Sequence, residues 1–273
     1  MGARWYNRRM AERERLYHAE VVILRRRDLG EADRLLTVYS REHGKLRQIA
    51  KGVRRPRSRK AGHLELFNRA RLLVARGREL DIITQAEAVE NYPTLHGDLL
   101  LVGFAGYAIE LLDHFTVDAE QNENLYKLIT ETLGRLDQGE QPNSVIRYYE
   151  LRLLDEVGFR PELFRCVLCG AEIRPEAQYF SLDLGGILCP SCGSKDRSPV
   201  PISLSALKVL RYFQRSSYRD AAKVSVRPSV HTELDQLMES FLSALLERRL
   251  NVPHFIRRVR SKAPTQPESD TIA

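Results

Sequence analysis

At 273 residues, 43% of them apolar and 29% charged, the chain is long enough for two or three compact units and is not a disordered polyelectrolyte. Its longest nearly uncharged apolar run, Leu99 to Ile109, has 11 residues, about half of the roughly 20 that a bilayer helix needs, which excludes a membrane-spanning protein of the helical kind. The formal charge is +7 but is segregated: residues 1–80 hold 22 of the 43 Lys/Arg and only 9 of the 36 Asp/Glu, so the remainder is net acidic. Charge gathered on one module builds a local field, and a polyanion is the partner such a field suits.

The opening MGARWYNRRMAERERLY is basic and has no apolar h-region. It is therefore not a secretory signal, and a cytoplasmic protein is expected. Residues 1–18 read as a disordered or extended arm. From Ala19 to Tyr92 the segments AEVVILRRR, RLLTVYS, KLRQIAKG, HLELFNRARLLVA and LDIITQAEAVE alternate with period 2 and are rich in β-branched and aromatic residues. Five short strands with no long helix between them predict a small barrel over residues 19–92. An OB-type five-stranded Greek key is the first choice and an SH3-like barrel the second.

The densest charge lies inside this barrel, at Lys45 to Lys60 (KLRQIAKGVRRPRSRK), with eight cations and no carboxylate. Pro56, Gly52 and Gly62 mark its second half as a loop between the third and fourth strands, and flexible cations there can follow a phosphate backbone.

After Pro93 the period becomes 3.6. Helices are expected at Asp98 to Phe115, Asn124 to Leu136, from Asn143 (as N-cap) to Gly158, Ser203 to Phe213 and Glu233 to Arg249. They make a helical domain of residues 93–160 and 200–255, with residues 256–273 as a disordered tail.

Residues 161–199 interrupt the helices with CVLCG and CPSCG. The spacing C-x2-C-x19-C-x2-C places Cys166, Cys169, Cys189 and Cys192 in the range of a structural zinc site. A two-residue gap lets both sulfurs of a knuckle reach one ion, and Gly170 and Gly193 are expected to relieve the turn behind each. Four thiolates around one Zn²⁺ leave no position for water, so such a site organises structure and hydrolyses nothing. The other reading is a pair of reactive dithiols.

No phosphate-binding G-x-x-x-x-G-K-[ST], no H-E-x-x-H and no G-x-S-x-G occurs, which favours a protein that is not an enzyme. A barrel with zinc knuckles and a basic loop suits a DNA-binding protein; it also suits an RNA- or ribosome-associated zinc-ribbon protein.

The stretches GEADRLLTVYSREHGKLRQIAKGVRRPRSR, HLELFN and CVLCG…FSLDLGGILCPSC resemble the bacterial RecO family of recombination mediators over residues 19–249. The resemblance implies an α+β multidomain fold: an N-terminal OB-fold β-barrel, then an α-helical domain with an inserted zinc-binding region. It further implies a non-enzyme in DNA repair and homologous recombination. Such a protein binds single- and double-stranded DNA and anneals complementary strands. With RecR it loads RecA onto strands coated by single-strand-binding protein, whose acidic C-terminal tail it docks. Carried onto this sequence, the DNA contacts are Arg34, Lys45, Arg47, Lys51, Arg54, Arg55, Arg57, Arg59 and Lys60. Tyr39, Phe67 and Tyr92 are either base-stacking or core aromatics. Arg147, Arg152, Arg211 and Arg215 are candidates for partner docking.

Overall fold

The computed structural model describes residues 15–262, and the expectations for residues 1–14 and 263–273 lie outside the described residues. Strands β1 (Leu16–Leu29), β2 (Asp33–Ser40), β3 (Gly44–Ala50), β4 (Arg69–Ala75) and β5 (Asp81–Glu90) close a barrel in the order β1-β2-β3-β5-β4. β1 pairs antiparallel with both β2 and β4, and β3 meets β5 in parallel at Gln48–Asp81 and Ile49–Ile82. That order is the OB-type Greek key, which decides against an SH3-like barrel. β1 begins inside the segment expected to be an arm, because Leu16, Tyr17 and His18 pair with Ala75, Val74 and Leu73.

The run Val21-Val22-Ile23-Leu24 lacks polar alternation because both of its faces are buried. Val21 and Ile23 join Leu36, Val38, Leu72, Val74 and Ile83 inside the barrel. Val22 and Leu24, with Tyr39, belong instead to the core of the helical half. The fourth expected strand is cut short. Ala61–Leu64 forms a 3-10 turn, and Phe67 sits at φ 68°, a left-handed value unusual for a bulky residue. Leu64 is buried in the barrel and Phe67 in the helical core, so the chain turns between them to fill two cores.

Helices α1 (Pro93–Gly97), α2 (Leu99–Phe115), α3 (Glu123–Asp137) and α4 (Pro142–Glu156) follow. Asp98 caps α2 by accepting from the amides of Leu100 and Leu101, and Asn122 caps α3 through Leu125. For α4 the cap is Gln141, not Asn143. Pro142 takes the first helical position, where its missing N–H is harmless, and Gln141 accepts from the Ser144 amide at 3.0 Å.

The cysteine insertion forms β6 (Gln178–Ser181), β7 (Gly186–Leu188), the single turn α5 (Pro190–Gly193) and β8 (Val200–Ile202), in sheet order β7-β6-β8. Then come α6 (Leu204–Arg215), α7 (Tyr218–Ala221), α8 (Pro228–Leu245) and α9 (Val252–Lys262). The insertion is not a separate body: Cys166, Phe180, Ile187, Leu188 and Ile202 share one core with the helices, and the Phe180 ring meets Phe241 of α8 edge to face at 5.0 Å.

Two expectations for the end of the chain change. α8 spans Pro228–Leu245 rather than 233–249, and residues 256–262, expected to be tail, belong to α9. The cause lies in α2, more than a hundred residues earlier. Glu110 accepts from the amides of Asn251 (2.9 Å) and Val252 (3.1 Å), which caps the start of α9. Gly103 lets the helices touch, since a Cβ there would lie 3.1 Å from Ile256 and 3.3 Å from Phe255.

A buried charge group ties α2, α4 and α8 together. Arg147, 3% exposed, donates to Glu150 and, at 2.8 Å, to Asp235, while the Tyr107 hydroxyl donates to Glu150 at 2.6 Å. Burial pushes the Glu150 carboxyl up to about 7, although Arg147 and Tyr107 pull the other way. The folded state therefore holds this proton more tightly than the unfolded chain does. The stability it contributes is present at acid pH and lost as pH rises through about 7. Arg147→Met strands Glu150 and Asp235, and is expected to cost about 3–5 kcal/mol at pH 8. The deficit should shrink below pH 7 as Glu150 takes up a proton. Urea unfolding at pH 8 and pH 6 measures this, and an equal loss at both values would refute it.

Candidate nucleic-acid interface and metal centre

The barrel face carrying β2 and β3 is not free. Gly44 lies so close to the segment after α2 that a Cβ would sit 1.9 Å from the Glu120 carbonyl oxygen, and the Ala119 amide donates to the Lys45 carbonyl at 2.8 Å. Tyr39, Phe67 and Tyr92 are all buried in the helical core. They are core aromatics, and the base-stacking alternative fails because none has a ring face open to a ligand.

Lys45 is removed from the contact set for the same reason. Its ammonium is buried and donates to the carbonyls of Asp113 (2.7 Å) and Thr116 (2.6 Å), with the Asp113 carboxylate 3.3 Å away. It fastens β3 to the end of α2 instead of facing solvent. Lys45→Met should destabilise the fold by about 2–3 kcal/mol, the range for hydrogen bonds to a charged group, and leave DNA affinity within about twofold of wild type. Thermal melting and anisotropy binding on one sample separate the two effects; a large affinity loss in a normally stable variant would restore Lys45 as a contact.

The remaining cations divide by what they already touch. Arg34 pairs with Asp28 and Glu65, Arg47 with Asp118, and Arg54 with Asp28 and the Gly30 carbonyl. Lys60 donates to the Ile83 carbonyl at 2.9 Å, and burial pushes its ammonium down from the ordinary value. Lys51, Arg55, Arg57 and Arg59 are exposed and have no ion pair among the described residues. The loop that carries them is stapled at both ends, unlike the free loop expected. Val53 is buried in the barrel, the Gly52 amide donates to Asp33 at 2.7 Å, the Arg54 amide donates to Ala32 at 2.9 Å, and Lys60 closes the far side. Anchored backbone with outward arginines holds the free charges in one place, which suits bidentate grip of phosphate oxygens.

Arg27 was missed. It is exposed and without an ion pair among the described residues, on β1 close before the turn at Gly30 and Ala32 that the loop bonds to. The three-arginine run Arg25–Arg27 was the available signal. Its first two members are occupied, Arg25 by Asp113 and Arg26 by Glu65.

The four cysteines converge as their spacing requires. One sulfur from each lies within 4.8 Å of the others, and Cys169 Sγ is 3.8 Å from Cys189 Sγ. A disulfide would need about 2.05 Å. A tetrahedron of thiolates at about 2.3 Å from zinc has an edge of about 3.8 Å, so the cluster could hold a metal ion and fits a zinc site. Its four thiols are not alike. Cys166 feels burial pushing it up, but amides of Cys169, Cys189 and Leu168 outweigh that and bring the thiol down to about 6. Cys192 is pushed up to about 12, first by its hydrogen bond with Cys189. All four would become thiolates only around a bound cation, whose charge offsets their mutual repulsion.

The glycines behind the knuckles have different jobs. Gly170 takes φ 74° and makes its turn. Gly193 instead permits a close approach, because a Cβ there would fall 2.3 Å from the Tyr179 ring. Tyr179 thus packs on the second knuckle, while Phe180 faces α8.

Of the four helix arginines, Arg147 is buried in the charge group above, and Arg152 donates to the Ser216 carbonyl at 2.6 Å, with its guanidinium 4.9 Å from the centre of the Tyr148 ring. Arg147 presents no surface, and the half-buried Arg152 is already engaged, Asp155 included. Arg211 and Arg215 lie on an open face of α6.

No helix among the described residues is long and apolar enough to cross a membrane. Two family models match: Recombination protein O N terminal over residues 13–92 and Recombination protein O C terminal over residues 96–254. DNA repair protein RecO of Roseiflexus sp. (strain RS-1) is 38% identical over 253 residues, covering 93% of this chain and 89% of that protein. The DNA repair protein RecO of Desulforamulus reducens is 35% identical, covering 90% and 95%, and that of Dehalococcoides mccartyi (strain CBDB1) 32% identical, covering 85% and 91%.

Proposed function

The chain belongs to the RecO family and to its DNA repair and recombination role, and from that premise we propose how it acts: it binds single- and double-stranded DNA without sequence preference and anneals complementary strands. With RecR it helps load RecA onto strands coated by single-strand-binding protein. The observation that carries this is the anchored loop whose Lys51, Arg55, Arg57 and Arg59 face solvent uncompensated.

Two strands repel each other through their phosphates. A cationic surface that neutralises some of that charge lets base pairing proceed downhill, with no nucleotide hydrolysis and no catalytic group. Phosphates carry no sequence information, so all sequences should anneal alike. Arg34 and Arg54, which share Asp28, and Arg27 before the turn border the loop cations, with Arg47 farther back on β3 beside Asp118. Phosphates can draw the paired ones from exposed carboxylates at little cost, since surface ion pairs are worth about 0–1 kcal/mol.

One Zn²⁺ per chain is assigned to Cys166, Cys169, Cys189 and Cys192. When bound, it joins the two knuckles and offers no open coordination position. These thiolates would hold the insertion against α8, so the metal's work is structural. The helical domain is the place for protein partners, RecR and the acidic tail of single-strand-binding protein among them, and the protein would work on the nucleoid in the cytoplasm.

Annealing of complementary oligonucleotides, bare and coated with single-strand-binding protein, tests the reading, with metal content measured on the same sample. Acceleration of both without ATP is expected. A preference for structured RNA over single-stranded DNA in competition would overturn it in favour of an RNA-associated role.

A further inference from the structure

Helix α6 carries a stripe that neither the core nor an ion pair accounts for. Lys208, Arg211, Tyr212 and Arg215 recur at i, i+3, i+4 and i+7 and so share one face. With Phe164 and Arg165 they line an open groove of about 940 Å³ between α6 and the segment that leads into the first knuckle. The Arg215 and Arg211 guanidinium carbons lie 3.5 and 4.9 Å from the centre of the same Phe164 ring, and Arg211 Nε donates to the Leu163 carbonyl at 2.8 Å. Two like charges are thus held side by side by a ring and a carbonyl. Burial and the neighbouring Arg215 push the Arg211 guanidinium below its ordinary value. None of Arg165, Lys208, Arg211 and Arg215 forms an ion pair among the described residues, and Glu172 is the one acidic residue lining the groove.

Residues 161–262 hold 16 Lys/Arg and 10 Asp/Glu, so charge alone does not single this cluster out; its stacking on one ring and its lack of ion pairs among the described residues do. The groove is open, whereas a small anion is usually held in an enclosed pocket. An acidic peptide would use the cations but leave the Tyr212 ring, 44% exposed, without a role. A nucleic-acid strand uses both, since it alternates phosphates with flat base faces that stack on aromatic and guanidinium planes.

We propose that the α6 groove is a second strand-binding site, with Arg165, Lys208, Arg211 and Arg215 toward phosphates and Tyr212 against a base. The proposal rests on the annealing reading above and gives the complementary strand its own place, apart from the barrel loop.

The test uses two non-complementary, differently labelled oligonucleotides and the full chain, scoring first-strand binding by anisotropy and capture of the second by energy transfer. Lys208→Glu with Arg215→Glu should leave the first strand within about twofold. Loss of two contacts should weaken capture of the second by at least about tenfold near 0.1 M salt, with the annealing rate falling in step. Tyr212→Ala, which keeps every charge, should weaken second-strand capture several-fold and guards against a misfolded double variant. Undiminished second-strand capture in both variants overturns the proposal. So does a double variant that loses a poly-glutamate peptide while keeping the second strand. Failure of the annealing reading looks different: the first strand would then not bind to wild type at all.

Discussion

Replacing Arg55, Arg57 and Arg59 together by Glu is expected to weaken single-stranded DNA binding about a hundredfold at ~0.1 M salt. Each phosphate contact on a single strand contributes about 0.7 of a log unit per decade of salt, so three lost contacts remove about two log units before any repulsion is added. All three side chains are exposed and none makes an ion pair among the described residues, so the melting temperature should not move. The loss should be equal for poly-dT, poly-dA and mixed strands, because nothing in a phosphate contact reads a base. A loss confined to one sequence would point to base readout, and an unchanged affinity would move the interface away from the loop. Anisotropy titrations with three oligonucleotides distinguish these results.

The second large effect is expected at the cysteines. Cys192→Ser should abolish binding of the single metal ion, since three thiolates and a hydroxyl close the tetrahedron poorly. Structural zinc sites are worth on the order of 10 kcal/mol of apparent folding free energy, which rivals the whole net stability of a domain. The damage should spread beyond residues 161–199. Cys166 and Cys192 belong to the core shared with the helices, and Phe180 packs on Phe241 of α8. Metal analysis with calorimetry should therefore show zero ions per chain and a lowered transition for the helical half. An equally stable variant with full metal content would remove Cys192 from the ligand set. A metal-free variant that melts like wild type would limit the ion to a local clasp.

How much of this was legible in the sequence depended on distance along the chain. The convergence of the four cysteines was readable because each Cys-x-x-Cys is a local device and the two pairs stand only 19 residues apart. The barrel was readable from period-2 alternation, and α2, α3, α4 and α6 from the 3.6 period, with ends set by caps such as Asp98 and Asn122.

What alternation cannot say is which outer face of the barrel is later covered. Lys45 looked like its basic neighbours, but Asp113, Thr116 and Asp118, some seventy residues on, come back to surround it. α9 failed to read as a helix for a similar reason: its stabilisers, Glu110 and Gly103, sit on α2. The strand expected through Phe67 was broken by tertiary burial, which overrides local propensity. The cation run itself was visible in the sequence. Its division into free and occupied members needed the partners that only folding supplies.

DNA binding by this protein depends on whether the exposed loop cations grip phosphate. The most direct measurement is the affinity of the wild-type protein for a single-stranded oligonucleotide across 50–400 mM NaCl. With about six phosphates neutralised, the log–log slope should lie near −4, and the triple Glu variant should be shallower by about 2. A slope near zero for the wild type, or the same steep slope in the variant, would contradict it.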